Sequence, residues 1–152
     1  MRYFVLALTV ILTSCGMTPR DTARATLDAT AIGLAITDQT FARAYSLHAH
    51  DALEAAQDDL AAYRADMAPW DDVERALRVA DAALRTADAA IEIWDAGGRE
   101  NWLGLAACVA GALDQIRLGL EALGLEIPTE LDSVLNALAP YGRSCTLHHG
   151  GE

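Results

Sequence analysis

The chain has 152 residues, the size of one domain, and its 22 carboxylates against 11 basic residues leave a net charge of −11. Every basic residue is an arginine, and phosphate binding needs a basic surface. This balance argues against nucleic acid as a partner and against a basic patch that would hold an anionic membrane. Alanine fills 31 positions while the 11 glycines and 4 prolines stand mostly at punctuation points, a combination that favours closely packed helices.

The first sixteen residues read as a leader. Arg2 gives a positive start, and Tyr3 to Leu12 form a largely apolar run, which is too short to span a bilayer and suits a signal-peptide core. Leu12, Thr13 and Ser14 then lead to Cys15. Leucine three positions before the cysteine and a small residue just before it resemble the lipobox of bacterial lipoproteins, a resemblance confined to residues 1–16. It implies that residues 1–14 are a removed signal peptide and that Cys15 becomes the lipidated first residue, attached to a membrane through acyl chains such as palmitate. Gly16, where an aspartate would favour inner-membrane retention, implies the outer membrane, facing the periplasm. Residues 15–18 are then a very short tether: the two or three residues before Thr18 reach roughly 10 Å when extended.

Residues 19–142 read as the helical domain. Thr18 as N-cap, Pro19 at the first helical position and Asp21 three residues after the cap start the first helix. Leu27, Ala31, Leu34, Phe41 and Tyr45 make its apolar stripe, interrupted by Asp38, with Ile32 and Ile36 on a second flank. The pattern can run on through Ala49, Leu53, Ala56, Leu60, Tyr63 and Met67. A straight helix over 19–67 would be about 73 Å long and partly uncovered. The capping signal at Asp51 to Glu54 therefore predicts a break near His48–Asp51. Pro69-Trp70 is expected to end this region, with Asp71, Asp72 and Glu74 opening the second helix. That helix has an unbroken stripe, Val73, Leu77, Ala80, Leu84, Ala87, Ile91 and Trp94. Its outer face pairs Asp71 with Arg75, Glu74 with Arg78 and Asp81 with Arg85.

Gly97-Gly98 stops the second helix, and Trp94 and Trp102 are placed to stack across that turn. A third helix over about 101–123 carries no charge from Trp102 to Leu113 and should be the buried centre, with Gly104, Cys108 and Gly111 giving it a small-residue side. Gly124 suits a left-handed helix stop, with Leu125 folding back toward Leu120. Pro128 and Thr129 open a short fourth helix with Leu131, Val134, Leu135 and Leu138 on its apolar side, ended by Pro140 and Gly142. Residues 143–152 are a tail. The fold class is all-α: an antiparallel helical bundle of three long helices plus one or two short ones.

With Cys15 taken by lipid, Cys108 and Cys145 remain, and two thiols in an oxidising periplasm predict one disulfide between them. His48 and His50 are two apart on a helix and point in different directions, while His148 and His149 sit in the tail, so no metal site and no cofactor is expected. No nucleophile elbow, zinc-protease helix or phosphate loop occurs, and Asp58-Asp59 and Asp71-Asp72 are adjacent pairs that do not converge on one substrate. The expectation is a non-catalytic, lipid-anchored envelope protein acting on an envelope protein partner. The alternatives are a lipoprotein binding a small ligand or metal between the first and third helices, or a phage-derived superinfection-exclusion lipoprotein.

Overall fold

The computed structural model describes residues 18–94 and 98–142. Among the described residues four helices run antiparallel in an all-α bundle: α1 over Pro19–Ala56, α2 over Leu60–Glu92, α3 over Gly98–Ala122 and α4 over Thr129–Leu138, with a 3-10 turn at Ala139–Tyr141 following α4. α1 starts on a reciprocal cap. Thr18 Oγ1 accepts from the Asp21 amide at 3.2 Å, and Asp21 Oδ2 accepts from the Thr18 amide at 3.1 Å.

The buried face of α1 is not the leucine–alanine stripe alone. Ala23, Leu27, Thr30, Leu34, Thr37 and Phe41 alternate by fours and threes along it, and Thr26 and Gly33 lie beside them, whereas Ala31 is exposed. Three threonines sit in the core because each hydroxyl donates to the carbonyl four residues back: Thr26 to Thr22 at 2.8 Å, Thr30 to Thr26 at 2.7 Å and Thr37 to Gly33 at 2.9 Å. With the hydroxyl satisfied inside the helix, the methyl group faces the neighbours at little polar cost.

The break between the first two helices is not at His48–Asp51. α1 continues through Asp51 and Glu54 and stops at Gln57 and Asp58, both left-handed with φ of 43° and 77°. Asp59 then caps α2, its Oδ1 accepting from the amides of Ala61 at 2.9 Å and Ala62 at 3.1 Å. Nor does Pro69 end a helix: α2 runs through it. Proline there removes one hydrogen bond to the Ala65 carbonyl, on an exposed side. The stripe of Met67, Trp70, Val73, Leu77, Ala80, Leu84, Ala87 and Ile91 is continuous across it, and that burial holds the helix together.

α3 is the central element. Ala106, Val109, Ala110, Leu113 and Ile116 are each at most 1% exposed. By length and composition alone Trp102–Ala122 is apolar enough to cross a bilayer, with a mean hydropathy of 1.4, yet half of it is buried against the other helices. It packs mainly on α2, where Gly119 lets the helices close: a Cβ there would lie 2.5 Å from Val73 Cγ2. α3 ends as expected, with Gly124 at φ +68°, its amide bonded to Glu121 O at 3.0 Å and the Leu125 amide to Leu120 O at 2.9 Å. α4 buries Leu131, Val134, Leu135 and Leu138 against α1 and α3, lying close over Gly33. α1 and α3 themselves barely meet.

Candidate interaction surface

Helix lengths give the molecule two unlike ends. At 1.5 Å per residue α1 is about 57 Å long and α2 about 50 Å, against about 38 Å for α3. α3 ends beside Pro69 and Val73, so the last turns of α1 and the first of α2 extend past it as a two-helix hairpin. Thr18 lies at the other end. There Arg24 ties α1 to α2 by donating to Asp88 Oδ1 at 2.5 Å and to Glu92, and Arg20 reaches the Glu92 carbonyl at 3.4 Å. Trp102 meets Tyr141 edge-on at 5.9 Å, and not Trp94 across the turn as expected.

An aromatic cluster forms the base of the projecting hairpin. Phe41 lies 5.7 Å from Tyr45 and 5.8 Å from Trp70, which is 7% exposed. His48 stacks on Trp70 at 4.5 Å and 15°. Its Nε2, shielded from solvent, is 2.9 Å from Asp66 Oδ2 without forming a hydrogen bond. The Tyr45 hydroxyl donates to Asp71 Oδ1 at 3.0 Å, and burial, reinforced by that acceptor, pushes its phenol up from the ordinary value. Asp71 is thereby engaged away from Arg75, which pairs instead with Asp72 at 2.7 Å, while Glu74–Arg78 and Asp81–Arg85 form as read from the sequence.

Beyond the cluster stand the three most exposed large apolar side chains of the described residues: Leu47 at 70%, Leu53 at 63% and Leu60 at 56%. Leu53 and Leu60 belonged to the expected stripe, but Ala52 takes the inward position and the break at Gln57–Asp58 rotates the chain. Residues 46–66 also carry five carboxylates, Asp51, Glu54, Asp58, Asp59 and Asp66, against Arg64 alone. Among the described residues no arginine pairs with any of the five.

The remaining expected positions are scattered. Leu12, Thr13, Ser14 and Cys15 lie outside the described residues, as do Cys145, His148 and His149. His50 faces Glu54 at 3.5 Å, Asp38 is exposed, and no group of three metal-ligating side chains occurs among the described residues. The expected Cys108–Cys145 disulfide is not shown as a pair: Cys145 lies outside the described residues, of which Cys108 is the one cysteine. Cys108 is buried, 8% exposed, and is disulfide-bonded, not a thiol. The first and third helices, between which a ligand pocket was the alternative expectation, scarcely touch. An open groove of about 730 Å³ lies between α1 and α2, lined by Leu27, Leu34, Leu77 and Leu84. Comparison with known proteins gives no match to any family, to any curated protein or to any solved structure.

Proposed function

We propose that the chain is a lipid-anchored envelope protein whose helical domain works by protein contact and not by catalysis, held to the outer membrane through acyl chains on Cys15. The ordered Leu12-Thr13-Ser14-Cys15 stretch after a ten-residue apolar run supports the anchor. The contact role rests on one observation: the most exposed leucines, Leu47, Leu53 and Leu60, gather at the hairpin end farthest from Thr18. Exposed apolar side chains gathered at a projecting end mark an interaction site more often than scattered single ones do. The acidic surroundings of these leucines disfavour a second copy and an anionic bilayer, and suit a basic, apolar segment of a partner protein.

Labelled palmitate tests the anchor. The parent chain is expected to incorporate the label and Cys15→Ser to lose it, and label in the serine variant would overturn the anchor reading. The contact role is tested with a benzophenone side chain at position 53 in intact cells. A single discrete adduct, weakened by Leu47→Ser with Leu60→Ser, is expected, whereas adducts only with lipid would overturn it.

A further inference from the structure

Five apolar or aromatic side chains at the Thr18 end stand wholly or partly outside the core. Ile93 and Leu103 are 53% and 47% exposed, Trp94 and Tyr141 are half-buried, and Pro19 is exposed. Ile93 and Trp94 immediately follow α2, whose last residue Glu92 is tied to Arg20 and Arg24, so they lie beside the start of α1. Leu103 is on the second turn of α3, and Tyr141 packs on Trp102 next to it. Tryptophan and tyrosine with aliphatic neighbours are the side chains that settle at a lipid headgroup boundary.

We propose that this end of the bundle is itself a membrane-contacting face, in which Ile93, Trp94 and Leu103 enter the headgroup layer while the hairpin end points away. The inference rests on the anchor at Cys15. Only Gly16 and Met17 separate that cysteine from the cap at Thr18, a reach of roughly 10 Å. A headgroup layer is itself roughly 5–8 Å thick, half the difference between a whole bilayer and its hydrocarbon core. An acylated Cys15 therefore holds the Thr18 end against the lipid surface. Charge acts in the same direction. At the Thr18 end Arg20 and Arg24 stand against Asp21, Asp28, Asp88 and Glu92, with Arg24 bonded to both Asp88 and Glu92, whereas the hairpin carries five carboxylates against one arginine. An anionic surface repels the hairpin end more strongly and stands the molecule upright, with α1 reaching about 57 Å from its start.

The test uses the acylated full-length mature protein in liposomes of phosphatidylethanolamine and phosphatidylglycerol. An environment-sensitive fluorophore is attached at Ile93→Cys or, for comparison, at Leu53→Cys, both exposed positions whose replacement leaves the core intact. The expected result is a blue-shifted emission quenched by brominated lipid chains at position 93, and neither effect at position 53. Matching water-like emission at both positions, in protein shown by mass spectrometry to be acylated and by flotation to be bound, would overturn the contact face and leave the anchor standing. Quenching at both positions would also overturn it, because the molecule would then lie flat. Protein that neither carries acyl chains nor floats removes the anchor, and this inference with it.

Discussion

Gly119 is the position where one atom decides helix spacing. A methyl group there would stand 2.5 Å from Val73 Cγ2, and Val73 is 2% exposed and stiff about χ1. Gly119→Ala is therefore expected to destabilise the bundle by about 1–3 kcal/mol in urea denaturation despite better helix propensity, with part of the loss recovered in the double variant with Val73→Ala. Thr18 and Asp21 act together at the other extreme of exposure. Thr18→Ala should cost about 0.5–2 kcal/mol through the lost cap. The bonds from the Thr18 hydroxyl and amide hold the Asp21 carboxyl below the ordinary aspartate value of 3.8. A carboxyl lowered by folding contributes its stabilisation above the unfolded value and loses it as pH falls through the folded one. An NMR titration should therefore show Asp21 protonating below the ordinary aspartate value, and the difference should vanish in Thr18→Ala.

At the scale of elements, the first two helices are joined by backbone that their sequence does not favour. Gln57 and Asp58 both adopt positive φ although neither is glycine, and a left-handed residue with a Cβ costs roughly 1–2 kcal/mol. Gln57→Gly is expected to raise the melting temperature, and a lower one would show that the Gln57 side chain contributes contacts outweighing its strain. Pro69 is a second local conflict, exposed and inside α2. Pro69→Ala restores a donor to the Ala65 carbonyl and should stabilise by up to about 3 kcal/mol. Hydrogen exchange would detect the new amide as protected to the same degree as its neighbours in α2. Both conflicts lie in or next to the projecting hairpin, the part of the molecule with the least tertiary cover.

Across the whole molecule, three substitutions separate the core from the charged face. Val109 is 1% exposed in α3, and Val109→Asp places an uncompensated charge where burial costs several kcal/mol, enough to unfold the bundle. Leu84 is 7% exposed and joins α2 to the core, so Leu84→Ala should cost roughly 2–5 kcal/mol. Arg78 pairs with Glu74 at 2.5 Å but its side chain is 72% exposed, and Arg78→Ala should change stability by no more than about 0.5 kcal/mol. Circular dichroism melts of the three variants should rank in that order.

Sequence alone determined what depends on local spacing. The stripe from Val73 to Ile91, the uncharged centre of α3, the Thr18 cap, the reversal at Gly124 and the apolar side of α4 are all short-range patterns, and each is found where expected. The tertiary structure decided whatever depends on which neighbour is present. Asp51–Glu54 and Pro69 are real local stop signals, but burial of a stripe that continues past Pro69 outweighs one lost hydrogen bond, and the helix passes through. Threonines 26, 30 and 37 read as polar until an i−4 carbonyl satisfies each hydroxyl and leaves the methyl facing inward. Leu53 and Leu60 fit an apolar stripe by spacing, yet α3 is too short to cover them, and that difference in length, invisible in any single helix, is what leaves an acidic, leucine-bearing hairpin exposed at one end.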